Sequence, residues 1–332
     1  MVLISERIYL DHAATSPLRP EARAAIEASF DLWANPSSPH GEGRKAKSAL
    51  EDARDRIKAS LGWSGELIFT SGASEALAIG LQRSKQSRRI VSAVEHDAVF
   101  RAVPDAEISS DNSVFDASTI LALQHVNSET GVINPVGQIA DSVRPAGTVI
   151  VSDCSQSAGK ISLPDADMLV ISAHKFGGPI GIGALLVRDF ALLEPIGGHE
   201  RGYRQGTENL PGAMGMAAAL EAGDWATSPD DRARFAESLS DDALSIGEQA
   251  DYIFALTHPT MSAQALLIRL DAMGIAVSAG SACSSGTLKK SRVLDAFGVS
   301  DDVAARTIRV SIGWNTAAHD LQKFTEAWGS LK

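Results

Sequence analysis

Along the first two thirds of the chain, short apolar runs alternate with stretches in which apolar positions recur every three or four residues. The runs Leu67-Ile68-Phe69-Thr70, Ile90-Val91-Ser92-Ala93-Val94, residues 121–126, Thr148-Val149-Ile150-Val151 and Met168-Leu169-Val170-Ile171 predict buried strands. The periodic stretches predict helices, as in residues 47–61, where Leu50, Ala53, Ile57 and Leu61 share one face ahead of Gly62. Such alternation predicts an α/β protein with a mostly parallel sheet covered by helices. Ligands in these sheets bind outside the carboxyl ends of the strands.

The predicted strands end in groups able to do chemistry. The first opens into Ser71-Gly72-Ala73-Ser74-Glu75 and a helix through Leu81. Free backbone N–H groups at that helix N-terminus, with two hydroxyls, suit a phosphate monoester, although most such strings are only helix caps. Others end at Glu95-His96, at Asn127-Ser128 and at Ser152-Asp153-Cys154-Ser155-Gln156, and the last closes at His174-Lys175 before a glycine-rich stretch, residues 177–183. A lysine at the mouth of a buried strand can form a Schiff base with a carbonyl cofactor; the alternative is a lysine that simply reaches water. Asp153 can pair with a protonated pyridine nitrogen, or can be a turn aspartate. His96 can stack on a flat ring or move protons, or can be structural. Phosphate cup, ring acid, lysine and imidazole together describe a pyridoxal phosphate site.

Composition narrows the setting. With 332 residues, 44% hydrophobic and 21% charged, the chain can bury one large core or two moderate ones, and one larger and one smaller domain are expected. A net charge of -11 argues against nucleic acid or an anionic membrane as default partners. The start of the chain lacks a basic leader with an apolar core, and no run reaches the roughly 18 apolar residues of a membrane span, so a soluble cytoplasmic protein is expected. Two cysteines, Cys154 and Cys283, are too few for a disulfide framework and have no metal-binding spacing, so no metal is expected. Residues 226–231 turn polar and are the candidate boundary region. Around Cys283, residues 278–286 are small and aperiodic, which reads as a mobile loop whose thiol can travel to a substrate sulfur.

Many ordered strings carry a family resemblance: Tyr9-Leu10-Asp11-His12-Ala13-Ala14-Thr15, Asn35-Pro36-Ser37-Ser38-Pro39-His40, the Ser71–Ser74 turn, Glu95-His96, residues 153–159 and 172–183, Arg204-Gln205-Gly206-Thr207-Glu208-Asn209, Ser281-Ala282-Cys283 and Arg309-Val310-Ser311-Ile312-Gly313. In these the chain resembles the cysteine desulfurases, pyridoxal phosphate enzymes of the class V aminotransferase superfamily with fold type I. The resemblance implies a large domain over residues 13–227 with a mostly parallel seven-stranded sheet. Residues 1–12 and 228–332 would form a small α+β domain carrying the cysteine loop.

By the same resemblance, Lys175 is the Schiff-base lysine, Asp153 the partner of the pyridine nitrogen, and His96 the residue stacked on the ring. Gly72, Ala73, Ser74, Ser172 and His174 would hold the phosphate, with Thr207 reaching it from a second subunit of a homodimer. Gln156 and Ser128 fall at positions facing the ring oxygen. Ala14, Asn35 and Arg309 would receive the substrate, the planar guanidinium being shaped for a carboxylate. Cys283 would accept sulfur from L-cysteine, and the long interval to Arg309 is like that of desulfurases that pass sulfur to a second protein, such as an iron–sulfur scaffold. A transaminase of the same superfamily, acting on a 2-oxo acid, a selenocysteine lyase and a non-catalytic protein of this fold are the alternatives.

Four features depart from the family pattern. Ser128 stands where an asparagine is usual, with Asn127 one residue early, and Ser74 replaces a common threonine. Cys154 sits where a small residue is usual and reads as packing. Residues 230–262 and the stretch after Gly313 are short.

Overall fold

The computed structural model describes residues 7–279 and 291–332. Backbone contacts divide them into two units. The larger comprises Pro17–Val126 and Asn134–Gly223, and the smaller comprises residues 7–16, Asn127–Ile133 and the chain from Asp224 onward.

After β1 (Ile8–Tyr9), which belongs to the smaller unit, come the strands of the larger: β2 (Glu66–Thr70), β3 (Arg88–Val91), β4 (Glu107–Ile108), β5 (Thr119–Ala122), β6 (Val149–Asp153), β7 (Met168–Ser172) and β8 (Gly183–Val187). They form a seven-stranded sheet in the order β2-β8-β7-β6-β5-β3-β4. Pairing is parallel from β7 through β6, β5 and β3 to β4, while β8 runs against both β7 and β2. Two reversals restore direction, so β2 points the same way as β7. The carboxyl ends of β2, β3, β5, β6 and β7 therefore share one edge.

Both faces of this sheet are covered, which is why its strands read as continuous apolar runs. Leu67, Phe69, Ile150, Leu169 and Ile171 pack with Leu50 and Ile57 of the helix Gly41–Ser60 and with Met216 of the helix Leu210–Ala222. The alternate residues Ile68, Val151, Met168 and Val170 pack with Leu77 and Leu81 of the helix Ala73–Gln82 and with Val99. Each fully buried Leu or Ile contributes about 1.5–3 kcal/mol. Cys154 lies in the first of these cores with no exposed surface, and burial pushes its thiol up to about 12.

Several predicted boundaries move. The helix expected from residue 47 starts at Gly41, because the His40 ring accepts the Gly43 N–H at 3.2 Å and caps a polar first turn. The run expected to end at Val94 stops pairing at Val91: the Glu95 N–H closes a turn on the Ser92 carbonyl at 3.3 Å. The Glu95 carboxylate then takes the Gln124 N–H at 2.7 Å, ending the β3–β5 ladder at Ala122 rather than Val126.

The smaller unit pairs β9 (Ile253–Thr257) antiparallel with β11 (Thr307–Ser311), and β1 parallel with β10 (Ile275–Ala276). Its core is aromatic, with Phe235 5.2 Å from Phe254 and 5.9 Å from Phe324. Residues 127–133 join this unit, contrary to a single division at 13 and 227, because Ala250 donates to Gly131 at 2.9 Å and Ile133 to Glu248 at 2.8 Å. Gly131 has φ +78, and a methyl group there would lie 2.2 Å from the Ile253 carbonyl oxygen. Ser278, expected in the thiol loop, instead bridges Arg309, while Cys283 and its neighbours, residues 280–290, lie outside the described residues. Among the described residues no helix is long and apolar enough to cross a membrane.

Candidate active site

At the shared carboxyl edge of the larger unit, Gly183 is paired with both Thr70 and Ser172, which draws the ends of β2 and β7 together. A methyl group on Gly183 would lie 2.6 Å from the Ile171 carbonyl oxygen and 2.8 Å from the Gly72 Cα, so only hydrogen fits. Gly72 has φ 153 and ψ -179, a region essentially reserved for glycine, and begins the helix Ala73–Gln82 without a side-chain cap. The first turn of that helix presents its N–H groups at the strand edge beside buried Ser172. Such an end attracts phosphate through both free donors and the helix dipole.

Glu75, in the same first turn, accepts the Ser71 N–H and pairs with Arg204 Nε at 3.2 Å. Burial opposes its ionisation, but Ser71 and Arg204 outweigh that and hold its carboxyl below the usual range. The pair ties the start of the helix to the segment that carries Thr207.

Lys175 lies beyond β7, in a short 3-10 turn, Ala173–Lys175, and is half-buried. The turn is closed by Phe176 and Gly178 N–H groups on the Ala173 carbonyl at 3.2 and 2.9 Å. Arg19, only 5% exposed, braces it by donating Nε to the Phe176 carbonyl at 3.2 Å and its own N–H to Gly177 at 2.8 Å. Arg19 precedes Pro20 in a stretch with no motif, and nothing in the sequence marks either it or Glu75 for these roles.

His96 caps the helix Asp97–Ala102, its Nδ1 accepting the Ala98 N–H at 3.1 Å. Its pKa is lowered chiefly by burial, with Asp153 pulling it up and Lys175 pushing it down. Two of the expected site residues, Asp153 and Lys175, therefore act on the His96 ring. His174 is driven down to about 4 by burial, then by Lys175 and Lys160, so it is a neutral ring at pH 7. Asp153 ends β6 and uses Oδ1 to accept the Ser155 N–H at 2.9 Å, while Gln156 is buried nearby in the turn and takes Lys160 Nζ at 3.5 Å. Asn35 and Thr207 stand exposed.

Other expected residues belong to the smaller unit. Arg309 on β11 donates Nη1 to the Ser128 carbonyl at 2.9 Å and Nη2 to Asp11 Oδ1 at 2.8 Å. Asn127, the early asparagine, is committed to its own turn, its Oδ1 accepting Glu129 and Thr130 N–H groups at 2.9 Å. Ala14 is exposed in a turn, its N–H on the Asp11 carbonyl at 3.0 Å.

Comparison with known proteins places this geometry in a family. The chain matches the aminotransferase class-V family over residues 8–114 and 106–324. A cysteine desulfurase of Cereibacter sphaeroides is 33% identical over 358 residues, covering 94% of this chain and 92% of that one. The chain belongs to the cysteine desulfurases of the class V aminotransferase family. A cysteine desulfurase IscS of Dictyoglomus turgidum is 30% identical, covering 96% of this chain and 92% of its own. Among solved structures, the NifS-like protein of Rickettsia africae superimposes with a TM-score of 0.86 at 25% identity, covering 98% of this chain and 99% of that one. SspA in complex with cysteine has a TM-score of 0.78 at 26% identity, covering 93% and 100%.

Desulfurases of this family use pyridoxal phosphate, and the residues present fit it. The cradle that a Cβ would fill at Gly183, the uncapped helix start at Gly72, and a lysine at the carboxyl end of β7 on the edge that also carries Asp153 match a phosphorylated aromatic aldehyde.

Proposed function

We propose that this chain is a pyridoxal-phosphate-dependent cysteine desulfurase that converts L-cysteine to L-alanine and keeps the sulfur as a persulfide on Cys283. The observation that carries the reading is Lys175, held on a braced turn at the carboxyl end of β7, where Ser172 stands beside the glycine cradle of Gly72 and Gly183. Gly72, Ala73, Ser74, Ser172 and His174 would hold the cofactor phosphate, Asp153 its ring nitrogen, Gln156 and Ser128 its ring oxygen, and His96 its flat face. When bound, the cofactor supplies an electrophilic aldehyde and a cationic ring that withdraws electrons from the substrate α-carbon.

The remaining work falls to the chain itself. Arg309, with Ala14 and Asn35, orients the substrate carboxylate, for which a guanidinium fork is well shaped. The Lys175 amine removes the α-proton and returns a proton as the reaction closes. The Cys283 thiolate attacks the substrate Sγ; the carbon–sulfur bond breaks with its electron pair going to carbon, which takes up a proton and leaves as alanine. Sulfur is moved without net oxidation, and the persulfide awaits an acceptor.

Exposed Thr207 and Asn35, together with Trp33 at 78% and Phe30 at 64% exposure, suit a homodimer in which Thr207 serves the partner's phosphate. A thiol that must stay reduced between turnovers suits the cytoplasm. The sulfur would pass to a second protein, such as an iron–sulfur scaffold.

The test supplies the purified protein with cofactor, L-cysteine and a thiol reductant. Equimolar alanine and sulfide are expected, with Cys283→Ser abolishing both while the bound-cofactor spectrum stays. A variant that keeps full turnover of an amino group to a 2-oxo acid would make the chain a transaminase instead.

A further inference from the structure

The guanidinium assigned above to the substrate carboxylate already carries a carboxylate of the chain's own. Strand alternation places Arg309 and Ser311 on the same face of β11, and Asp11 bridges Ser311. The first segment of the chain is stitched there by the Ser311 N–H on the Leu10 carbonyl at 2.8 Å and by the Ala13 N–H on Ser311 Oγ at 2.9 Å. Asp11 is held further by the Tyr9 hydroxyl, which donates to its carbonyl at 3.1 Å. Its Oδ1 then meets Arg309 Nη2 at 2.8 Å, while Nη1 is fixed on the Ser128 carbonyl and Nε is buried without a hydrogen-bond partner among the described residues.

A guanidinium offers five N–H donors, and two partners at two different nitrogens set its plane while leaving donors for another carboxylate. One of those two partners is an anion. A second carboxylate arriving at the same fork meets both the attraction of the guanidinium and the repulsion of Asp11. The charge of Asp11 is felt locally, since Tyr9 is pushed up to about 12 by burial and by Asp11.

We infer that Asp11 is a positioning residue for substrate recognition: it orients the Arg309 fork and, as a fixed anion, weakens the grip of that fork on an α-carboxylate. The inference rests on the reading of Arg309 as the carboxylate receptor. Two substitutions separate the two effects. Asp11→Asn keeps an oxygen that accepts from Nη2 but removes the charge, whereas Asp11→Ala removes both.

The probe is propionate, a carboxylate without an amino group to react with the cofactor aldehyde, titrated into the holoenzyme alongside KM and kcat for L-cysteine. Asp11→Asn is expected to tighten propionate binding and lower KM at least fivefold, with kcat within twofold of the parent. Asp11→Ala is expected to weaken propionate binding and raise KM at least fivefold, and Asp11→Ser replaces it if the alanine variant does not fold. Variants that move the same way, or that leave propionate binding unmoved, overturn the inference. Arg309→Leu that still binds propionate like the parent overturns the receptor reading itself, whatever the Asp11 variants do.

Discussion

Arg19 Nε donates to the Phe176 carbonyl at 3.2 Å, so a buried guanidinium holds the turn that presents Lys175. Hydrogen bonds from charged groups contribute about 1.5–3 kcal/mol each. Arg19→Met should lower the unfolding free energy by about that amount, measured by urea denaturation. It should also slow cofactor uptake at Lys175 at least tenfold, read by absorbance of the reconstituted protein. An unchanged uptake rate would show that the turn needs no brace.

Lys175 depresses two imidazoles at once. It lowers the pKa of His96 after burial has done the larger share, and it does the same for His174. In cofactor-free protein, Lys175→Ala should therefore raise the titration midpoints of both histidines, followed by NMR of their ring protons. His125, lowered by burial alone, is the internal control and should stay where it is.

Acid stability follows from the same chemistry with a definite sign. The His174 pKa falls from 6.5 to about 4 on folding, so below pH 6.5 the unfolded chain takes up a proton that the folded one refuses. Stability is complete above pH 6.5 and declines as pH falls toward 4. Replacing His174 by Asn should flatten that decline in cofactor-free protein, seen as a smaller difference between urea midpoints at pH 7.5 and 4.5.

A buried ion pair steadies the edge of the large sheet. Arg54, 3% exposed, donates Nη1 and Nη2 to Glu200, 5% exposed, at 2.9 and 3.0 Å, and Glu200 also accepts the Phe69 N–H of edge strand β2 at 2.7 Å. Removing the Glu200 charge leaves buried Arg54 with the part-exposed Glu51, at 3.2 Å, as its remaining anion, so the loss falls at or below the roughly 3–5 kcal/mol of a buried charge left unpaired. Glu200→Gln should lose stability on that scale, and the double replacement Arg54→Met with Glu200→Leu should lose less than the single one.

How much of this was legible in the residues depends on the range of the forces involved. Leu67 to Thr70 and Met168 to Ile171 announced their strands because a strand covered on both faces must be apolar throughout. Lys175, Asp153 and His96 were legible as candidates, because their residue types are unusual beside such runs. What escaped was long-range: the Glu95 carboxylate taking the Gln124 N–H, Arg19 bracing a turn more than 150 residues away, and the Asp11 side chain on Arg309. None of these leaves a periodic trace, since each depends on two distant segments meeting. Residues 127–133 were misassigned for the same reason, because Gly131 is drawn to the smaller unit by Ala250 and Ile253.

On the proposed reading, Lys175 is the residue to which the cofactor is joined. Protein purified with pyridoxal phosphate supplied should be treated with borohydride, digested and analysed by mass spectrometry. A pyridoxyl-phosphate group is expected on the peptide containing Lys175 and is expected to be absent from Lys175→Ala. A label on Lys160 or elsewhere, or a colourless protein with no label at all, would contradict that reading.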